Sequence, residues 1–335
     1  MEVREKIQTE LTHELMLEMY WIMLLSRRID ERAWLLHRQG KFPFHISGIG
    51  HEAAQVGAAF ALKRGKDWLV PYYRDLAMVL AFGLTPAEFA LGLMGKKGEP
   101  SSGARQMPSH WGLRRANIIS TSSPVGTQTP HAAGIGFAIK YRGDDAIVLT
   151  SIGEGSTSQG EWYEGVNWAA IHQLPVIFLV ENNEYAISVP RSKQMAVSNV
   201  AEKANGLGLP GITVNGLDVI EVYDAVKSAA DRARAGGGPT LIEATVLRMT
   251  PHSSDDDDRM YRSREEIEEM KQKDPVNAFR DYLIQQNIIT EAAQEKFQSR
   301  AKEEVNAAIK FAEDTPYPDV EDASYPVYAE DIRHG

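Results

Sequence analysis

The chain has 335 residues, a formal net charge of −10 and no cysteine. With 43% hydrophobic and 24% charged residues it is ordinary globular protein, long enough for one large or two medium domains. Without cysteine there are no disulfides, zinc-thiolate sites or thiol nucleophile, and without a block of Lys and Arg a nucleic-acid surface is not expected.

No apolar run reaches 18 residues, so no membrane span is expected. The opening "MEVREKIQTELTHE" is acidic and has no apolar h-region, which argues against a secretory leader or transit peptide. The expected location is the cytoplasm, or the mitochondrial matrix for a processed mature chain. Apolar residues at three- and four-residue spacing predict one long helix over 10–39, stopped by Gly40. "GHEAAQVGAAFALKRG" reads as a second helix whose small residues suit close packing. Two short helices follow, "RDLAMVLAFG" and "TPAEFALGLMG", the latter capped by Thr85 with Pro86 as its first residue. Residues 96–125 read as loop.

From residue 126 short apolar strands alternate with helices. "GTQTPHAAGIGFAIKYRG" is a helix, "AIVLTSI" a strand, and a helix runs from Gly160 to about His172. "PVIFLVENN", "GITVNG" and "PTLIEATVLR" are further strands, with a helix at "DVIEVYDAVKSAADRARAGG". This alternation predicts an α/β fold, a mainly parallel sheet with helices on both faces. After "TPHSSDDDDRMYRS" the chain is helical almost to its end. No repeat and no boundary interrupts it, so 1–335 is expected to be one domain. A helical arm lies at 1–40, and a helical extension and tail at 265–335.

A strand that ends in a glycine turn and leads into a helix is where α/β proteins bind phosphate. Here the turn is Gly153-Glu154-Gly155, and an acid repels phosphate unless a cation lies between them. Magnesium supplies one, bridging protein oxygens to substrate phosphates. Glu154, the amide of Asn183 and the carbonyl of Tyr185 are its expected ligands, because the ends of neighbouring parallel strands lie about 5 Å apart. Taken singly, a GxG is a common turn and Asn182-Asn183 an ordinary strand exit.

Together, with 26 residues between Gly155 and Asn182, they resemble the thiamin-diphosphate signature, in which Gly-Asp-Gly begins and Asn-Asn ends the segment. Glu replaces Asp here, as in one subgroup. "GEGSTSQGEWYEGVNWAAIHQLPVIFLVENNEYAIS", "QGKFPFHISGIGHEAAQVG", "YYRDLAMVLAFG", "ARQMPSHWG", "SSPVGTQTPHAAGIG" and "PHSSDDDDRMYRS" resemble the alpha subunit of 2-oxo acid dehydrogenases, from about residue 15 to 290. "RQMPSHW" and Glu154 resemble the branched-chain enzyme more than the pyruvate enzyme.

The resemblance implies roles position by position. Tyr73, Arg74 and Arg248 would face the cofactor diphosphate, beside the turn residues Gly153, Gly155 and Ser156. Ser123 and Val125 would lie under the cofactor rings, with Val125 holding it bent. Ser122, Pro124, Thr127 and Gln128 match a potassium site of branched-chain members. His252 would lie near the cofactor and assist acyl transfer to a lipoyl arm, work an imidazole can do near neutral pH. The Glu that activates the pyrimidine would come from a beta subunit, giving an α2β2 assembly served by a lipoyl acyltransferase core and acting on a 2-oxo acid. Read without the family, Arg74 is a surface charge, Val125 core and His252 structural.

His131, His110, His45 and His51 are further pocket candidates, and His172 reads as helix surface. Phe42 and Phe44 are expected near the pocket, where they would favour branched aliphatic acids. Asp255 to Asp258 lack EF-hand spacing and read as a solvated loop; Ser253 and Ser263 stand where animal relatives carry regulatory phosphoserines. Two rival readings fit the sequence less well. An NAD-binding oxidoreductase needs GxGxxG after a strand, and neither Gly48-Ile-Gly50 nor Gly134-Ile-Gly136 supplies it. A non-catalytic oligomer-forming scaffold explains the helices but leaves Glu154 and Asn183 without a use. Pyruvate and acetoin enzymes share most of the motifs.

Overall fold

A computed structural model of the chain describes residues 11–324; residues 1–10 of the arm and 325–335 of the tail lie outside them. Helix α1 (His13–Arg38) starts where the Thr12 hydroxyl accepts the Leu15 N–H at 3.2 Å, and buries a stripe from Met16 to Leu36. Helix α2 (Glu52–Phe60) is buried on all sides but its last residue. Its small side chains let it lie against another backbone: a Cβ on Gly57 would meet the Val219 carbonyl at 2.6 Å. Strand β1 (Trp68–Val70), helix α3 (Leu76–Phe82) and helix α4 (Pro86–Leu93) follow, α4 opening with the expected Thr85 cap as a full capping box with Glu88.

The second half supplies α5 (Gln128–Arg142), β2 (Val148–Gly153), α6 (Gly160–Ile171) and β3 (Val176–Asn182). A small hairpin, β4 (Tyr185–Ala186) and β5 (Val189–Pro190), is followed by the short helices α7 (Arg191–Gln194) and α8 (Lys203–Leu207). Then come β6 (Gly211–Asn215), α9 (Val219–Arg234) and β7 (Thr240–Thr245). Helices α10 (Arg264–Gln272), α11 (Pro275–Gln285) and α12 (Glu291–Asp314) close the described chain. No helix among the described residues is long and apolar enough to cross a membrane.

The five main strands form one sheet in the order β1-β2-β3-β7-β6, every pair parallel. All residues of β3 are buried, because both faces are covered. Ile177 and Leu179 join the core built by α1 to α4, α9, α11 and α12. Val176, Phe178 and Val180 join the opposite core with α5, α6 and α8. The period-two alternation of β3 is thus spent between two apolar layers, which is why its sequence reads as one unbroken apolar run.

Three elements differ from expectation. β1 has only three residues in a Pro- and Tyr-flanked segment, too short to show a period. The β4–β5 hairpin interrupts a stretch without apolar alternation. β7 ends at Thr245, so Arg248 stands three residues beyond the strand rather than at its end.

Arg27 joins three helical segments. Its Nε donates to Glu52 Oε1 at 2.7 Å, while its two terminal nitrogens donate to the Asp274 carboxylate at 2.5 and 3.0 Å. Glu52 Oε2 accepts the Gly50 N–H at 2.7 Å. Gly50 has φ +96°, and a Cβ there would lie 2.0 Å from the Leu247 carbonyl, so the loop before α2 is pressed against the chain leaving β7. Arg27→Ala leaves two buried carboxylates without their cation and is expected to lower folding stability by about 3–5 kcal/mol, read from denaturant unfolding.

Candidate active site

The chain exits of β1, β2, β3 and β7 meet at the carboxyl edge of the sheet and line a cavity of about 410 Å³. This is where open parallel sheets place their ligands. Glu154 follows β2 directly and opens a single turn, Glu154–Ser158. Two side chains hold the turn. The Thr157 hydroxyl donates to the Glu154 carbonyl at 2.7 Å, and Gln194 Nε2 donates to the carbonyls of Glu154 and Gly155 at 3.0 and 3.1 Å. Gly155 must be glycine, because a Cβ would stand 2.7 Å from Ala186 Cβ in the hairpin that closes over it.

The Glu154 side chain is fully buried. Oε2 accepts the Asn183 N–H at 3.2 Å and Oε1 has no partner. Burial pushes this carboxyl up to about 7, against the opposing effect of its backbone hydrogen bonds and Arg248. A buried carboxylate with one unpaired oxygen at a cavity wall is a seat for a cation. Asn183 is also buried, and its Oδ1 accepts the Tyr185 N–H at 3.3 Å. Glu184 between them has φ +70°, which turns the chain sharply and sets the Asn183 amide and the Tyr185 carbonyl at one corner. Among the described residues no group of three or more His, Cys, Asp or Glu is placed so that it could hold a metal ion by itself. The donor set is one carboxylate, one amide oxygen and one backbone carbonyl, which fits a hard cation that takes its other ligands from phosphate and water.

Two buried guanidiniums stand nearby. Arg74 Nη1 donates to the Ser47 carbonyl at 2.6 Å, and Nη2 lies 3.3 Å from His252 Nδ1. Arg248 Nη2 donates to the Ile187 carbonyl at 2.7 Å and to the Tyr261 hydroxyl at 2.9 Å. Burial, then the charge of Arg74, lowers Arg248 to about 10. Their hydrogen-bond partners are carbonyls, a phenol and an imidazole, so both positive charges remain available to an anion.

His252 is half-buried and edge-on to the Tyr73 ring, with centroids 6.1 Å apart. Burial, then Arg74 and Arg248, lowers it to about 4, so it is neutral near pH 7. Arg74 donates to Nδ1, which assigns the proton to Nε2. At the other wall His110 Nδ1 donates to the Met107 carbonyl at 3.0 Å, so Nε2 accepts the Ser123 hydroxyl at 2.7 Å.

The cavity is lined by Tyr73, Arg74, Ser123, Val125, Gly153, Glu154, Gly155, Ser156, Asn183, Tyr185 and His252. Arg248 lies behind the hairpin. Ser122, Pro124 and Thr127 share one loop with the cavity-lining Ser123 and Val125, and Gln128 opens α5. Ser122 and Thr127 hydroxyls are 2.9 Å apart, Thr127 donates to the Pro124 carbonyl at 3.1 Å, and buried Gln128 keeps an unpaired Oε1.

Several expectations fail. His45 is buried against Asp30 at 2.8 Å and His51 against Glu181 at 2.6 Å, each as part of the scaffold. His131 is exposed on α5, outside the cavity lining. Phe44 lines the cavity, but Phe42 is buried against His37 and His45. The aspartate loop is not merely solvated: Asp256 accepts the His252 N–H at 2.9 Å, and Asp258 is buried on Arg262. Ser253 is buried, and Ser263 caps α10.

Gln194, Ile46, Met107 and Ile187 were not anticipated. Ile187 sits at the hairpin tip with φ +56°, a strained conformation for a β-branched residue, and is 57% exposed at the cavity. Only the quoted "YAIS" after Asn-Asn pointed to it.

Residues 20–321 match the family described as Dehydrogenase E1 component, and the chain belongs to that family: it is an E1 component of a thiamin-diphosphate-dependent 2-oxo acid dehydrogenase, an oxidoreductase. It is 51% identical over 319 residues to the 2-oxoisovalerate dehydrogenase subunit alpha of Bacillus subtilis, a match covering 95% of this chain and 97% of that one. It is 40% identical over 315 residues to the pyruvate dehydrogenase E1 component subunit alpha of Staphylococcus aureus, covering 93% and 82%.

A metal ligated by Glu154 must displace the proton that this carboxyl holds below about pH 7. Magnesium affinity is therefore expected to fall about tenfold per pH unit below 7 and to level off above it. Calorimetry in buffers of different ionisation enthalpy checks this, with proton release at about pH 6 and little at about pH 8.

Proposed function

We propose that the chain is the alpha subunit of a branched-chain 2-oxo acid dehydrogenase, acting in an α2β2 assembly that passes an acyl group to lipoyl-lysine of an acyltransferase core. The observation that carries the reading is the unpaired, buried Oε1 of Glu154 beside the Asn183 amide and Tyr185 carbonyl. The donor set fits magnesium, and the paired Arg74 and Arg248 charges fit the diphosphate that magnesium would bridge. Bound there, thiamin diphosphate supplies the carbanion chemistry of decarboxylation.

The chain's own residues have distinct tasks. Glu154, Asn183 and the Tyr185 carbonyl hold the metal, while Arg74, Arg248 and Tyr73 hold the diphosphate. Val125 and Ile187 give the ring region apolar support and exclude water. His252, neutral with its proton on Nε2, donates that proton or takes one back at the cavity wall during acyl transfer. The loop of Ser122, Pro124, Thr127 and Gln128 offers a hydroxyl pair, a carbonyl and the unpaired Gln128 oxygen to potassium.

The partner reading is supported by an apolar face outside the cavity. Phe137, Tyr141, Trp168 and Ile171 are 42 to 84% exposed on α5 and α6, with the Phe137 and Trp168 rings 6.2 Å apart. Such clusters on a soluble surface mark interfaces. The beta subunit is the proposed occupant and the source of the pyrimidine-activating Glu. For the substrate, Phe44, Ile46 and Met107 give the cavity an apolar wall suited to a branched aliphatic chain. The 51% relative is a 2-oxoisovalerate enzyme.

Co-expression with a beta partner, followed by a panel of 2-oxo acids, tests the whole reading. Turnover of 2-oxoisovalerate above pyruvate and acetoin supports it, and a preference for either of the others reassigns the substrate. Glu154→Ala and Asn183→Ala are expected to weaken magnesium and cofactor binding by on the order of 100-fold while thermal melting stays cooperative. His252→Ala is expected to keep cofactor affinity and lose lipoyl acylation by on the order of 100-fold or more, measured with free lipoyl domain.

A further inference from the structure

The exit of β3 carries two buried asparagines, and only Asn183 lines the cavity. Asn182 is 2% exposed and stands on the other face of the strand, the one on which Val180 joins the α5 and α6 core. Its side chain is bonded at both ends. Oδ1 accepts the Glu184 N–H at 3.0 Å, and Nδ2 donates to Glu243 Oε1 at 2.7 Å. Glu243 is fully buried within β7, in register with Val180 on one side and Thr213 on the other. Its second oxygen accepts the Ala201 N–H at 3.1 Å and the Thr213 hydroxyl at 3.0 Å.

The ends of this network fix the direction of every bond in it. A backbone N–H can only donate, so Glu184 and Ala201 each require an acceptor. The Asn182 oxygen must face Glu184, which leaves its NH2 facing Glu243. Glu243 then meets a donor on each oxygen and must accept on both, which an amide in its place could not do. Reversing any member sets two donors against each other in a buried site, where an unmade hydrogen bond is costly.

The network reaches the metal corner through the backbone. Asn182 Oδ1 holds the N–H of Glu184, whose φ of +70° makes the sharp turn between the Asn183 amide and the Tyr185 carbonyl. That conformation is uncommon for a residue with a side chain, so the turn needs a hold from outside. The main chain is tied at the same point, because the Asn182 carbonyl accepts the Val246 N–H at 2.8 Å. Asn182, Ala201, Thr213 and Glu243 all stand outside the cavity lining, so they act on the site only by setting this turn.

We propose that Asn182 is a positioning residue: gripped by Glu243, its amide sets the Glu184 turn and thereby brings the Asn183 side chain and the Tyr185 carbonyl to one ion. The proposal rests on the cofactor reading of the site above. It makes a demand that packing alone does not make, because the amide and the carboxyl group must be complementary. In Glu243→Gln the new NH2 faces either the Asn182 NH2 or the Ala201 N–H. In Asn182→Asp the Glu184 N–H keeps its acceptor, but an oxygen now faces Glu243 Oε1. Combining both substitutions exchanges amide and carboxyl and restores every bond: the amide at 243 donates to the carboxyl at 182, its oxygen accepts from Ala201 and Thr213, and the other oxygen at 182 accepts from Glu184.

The test uses the assembled alpha and beta chains. Calorimetric titration with magnesium and thiamin diphosphate is expected to show each single variant weaker by about tenfold or more and the double variant within about threefold of wild type, with kcat at saturating cofactor changed far less than affinity. Losses that add in the double variant, or no loss in the single ones, overturn the proposal. Hydrogen exchange of the cofactor-free assembly, resolved to single amides by mass spectrometry, supplies a readout independent of the ligand. The Glu184 N–H is expected to exchange about 100-fold or more slowly than in an unfolded chain in wild type and in the double variant. Unprotected exchange of that amide in wild type overturns the proposal even if the single variants fail to fold. Failure of wild type to bind the cofactor, with that amide protected, sinks the cofactor reading and leaves the hold of Asn182 on the turn standing.

Discussion

Everything at the carboxyl edge of this sheet is arranged around a carboxylate that lacks enough partners. Glu154 is enclosed at the end of β2, one oxygen bonded to the Asn183 N–H and the other to nothing. In a dry interior such a group holds a proton or takes a cation, because leaving it charged and alone costs several kcal/mol. The surrounding residues supply what the cation alternative needs. Neutral oxygens complete one side, and two guanidiniums without carboxylate partners wait for an anion on the other.

Keeping that arrangement rigid falls to backbone contacts more than to side-chain volume. Gly155 lets the hairpin close against the metal turn, and Gln194 binds two of the turn's carbonyls from behind. Gly48 lies so close to the Arg74 carbonyl that a Cβ would sit 2.7 Å from it, and Gly50 is tighter still against Leu247. Viewed as a motif, Gly48-Ile-Gly50 resembles a nucleotide fingerprint in miniature. In the fold it lets two site-bearing segments approach the loop before α2.

The same economy of charge runs through the interior. Arg27 neutralises Glu52 and Asp274 between helices, whereas Glu181 collects His51, Gln55 and the Tyr72 hydroxyl on one oxygen and Asp75 accepts the Tyr72 N–H and the Ser151 hydroxyl. The first arrangement joins helices, and the second joins the chain exits from β1, β2 and β3 beneath the site. Both are distant in sequence, and both convert the cost of burying charge into a demand for one geometry.

The architecture was legible because its signals are local and repeated. A strand covered on both faces must be apolar throughout, as β3 is, and a capping box announces itself in four residues, as at Thr85. The Gly-Glu-Gly turn and the Asn-Asn exit were legible as well, since each must occupy one place at a strand end. What the chain order could not display was which distant groups meet. His45 and His51 carry the same imidazole as His252, yet Asp30 and Glu181 claim the first two in the scaffold while the third reaches the cavity wall. Composition and period determine which residues must leave water, and so which elements form. Only the packed sheet decides which buried polar atoms face one another, because that depends on strand order and helix placement across more than 100 residues of intervening chain.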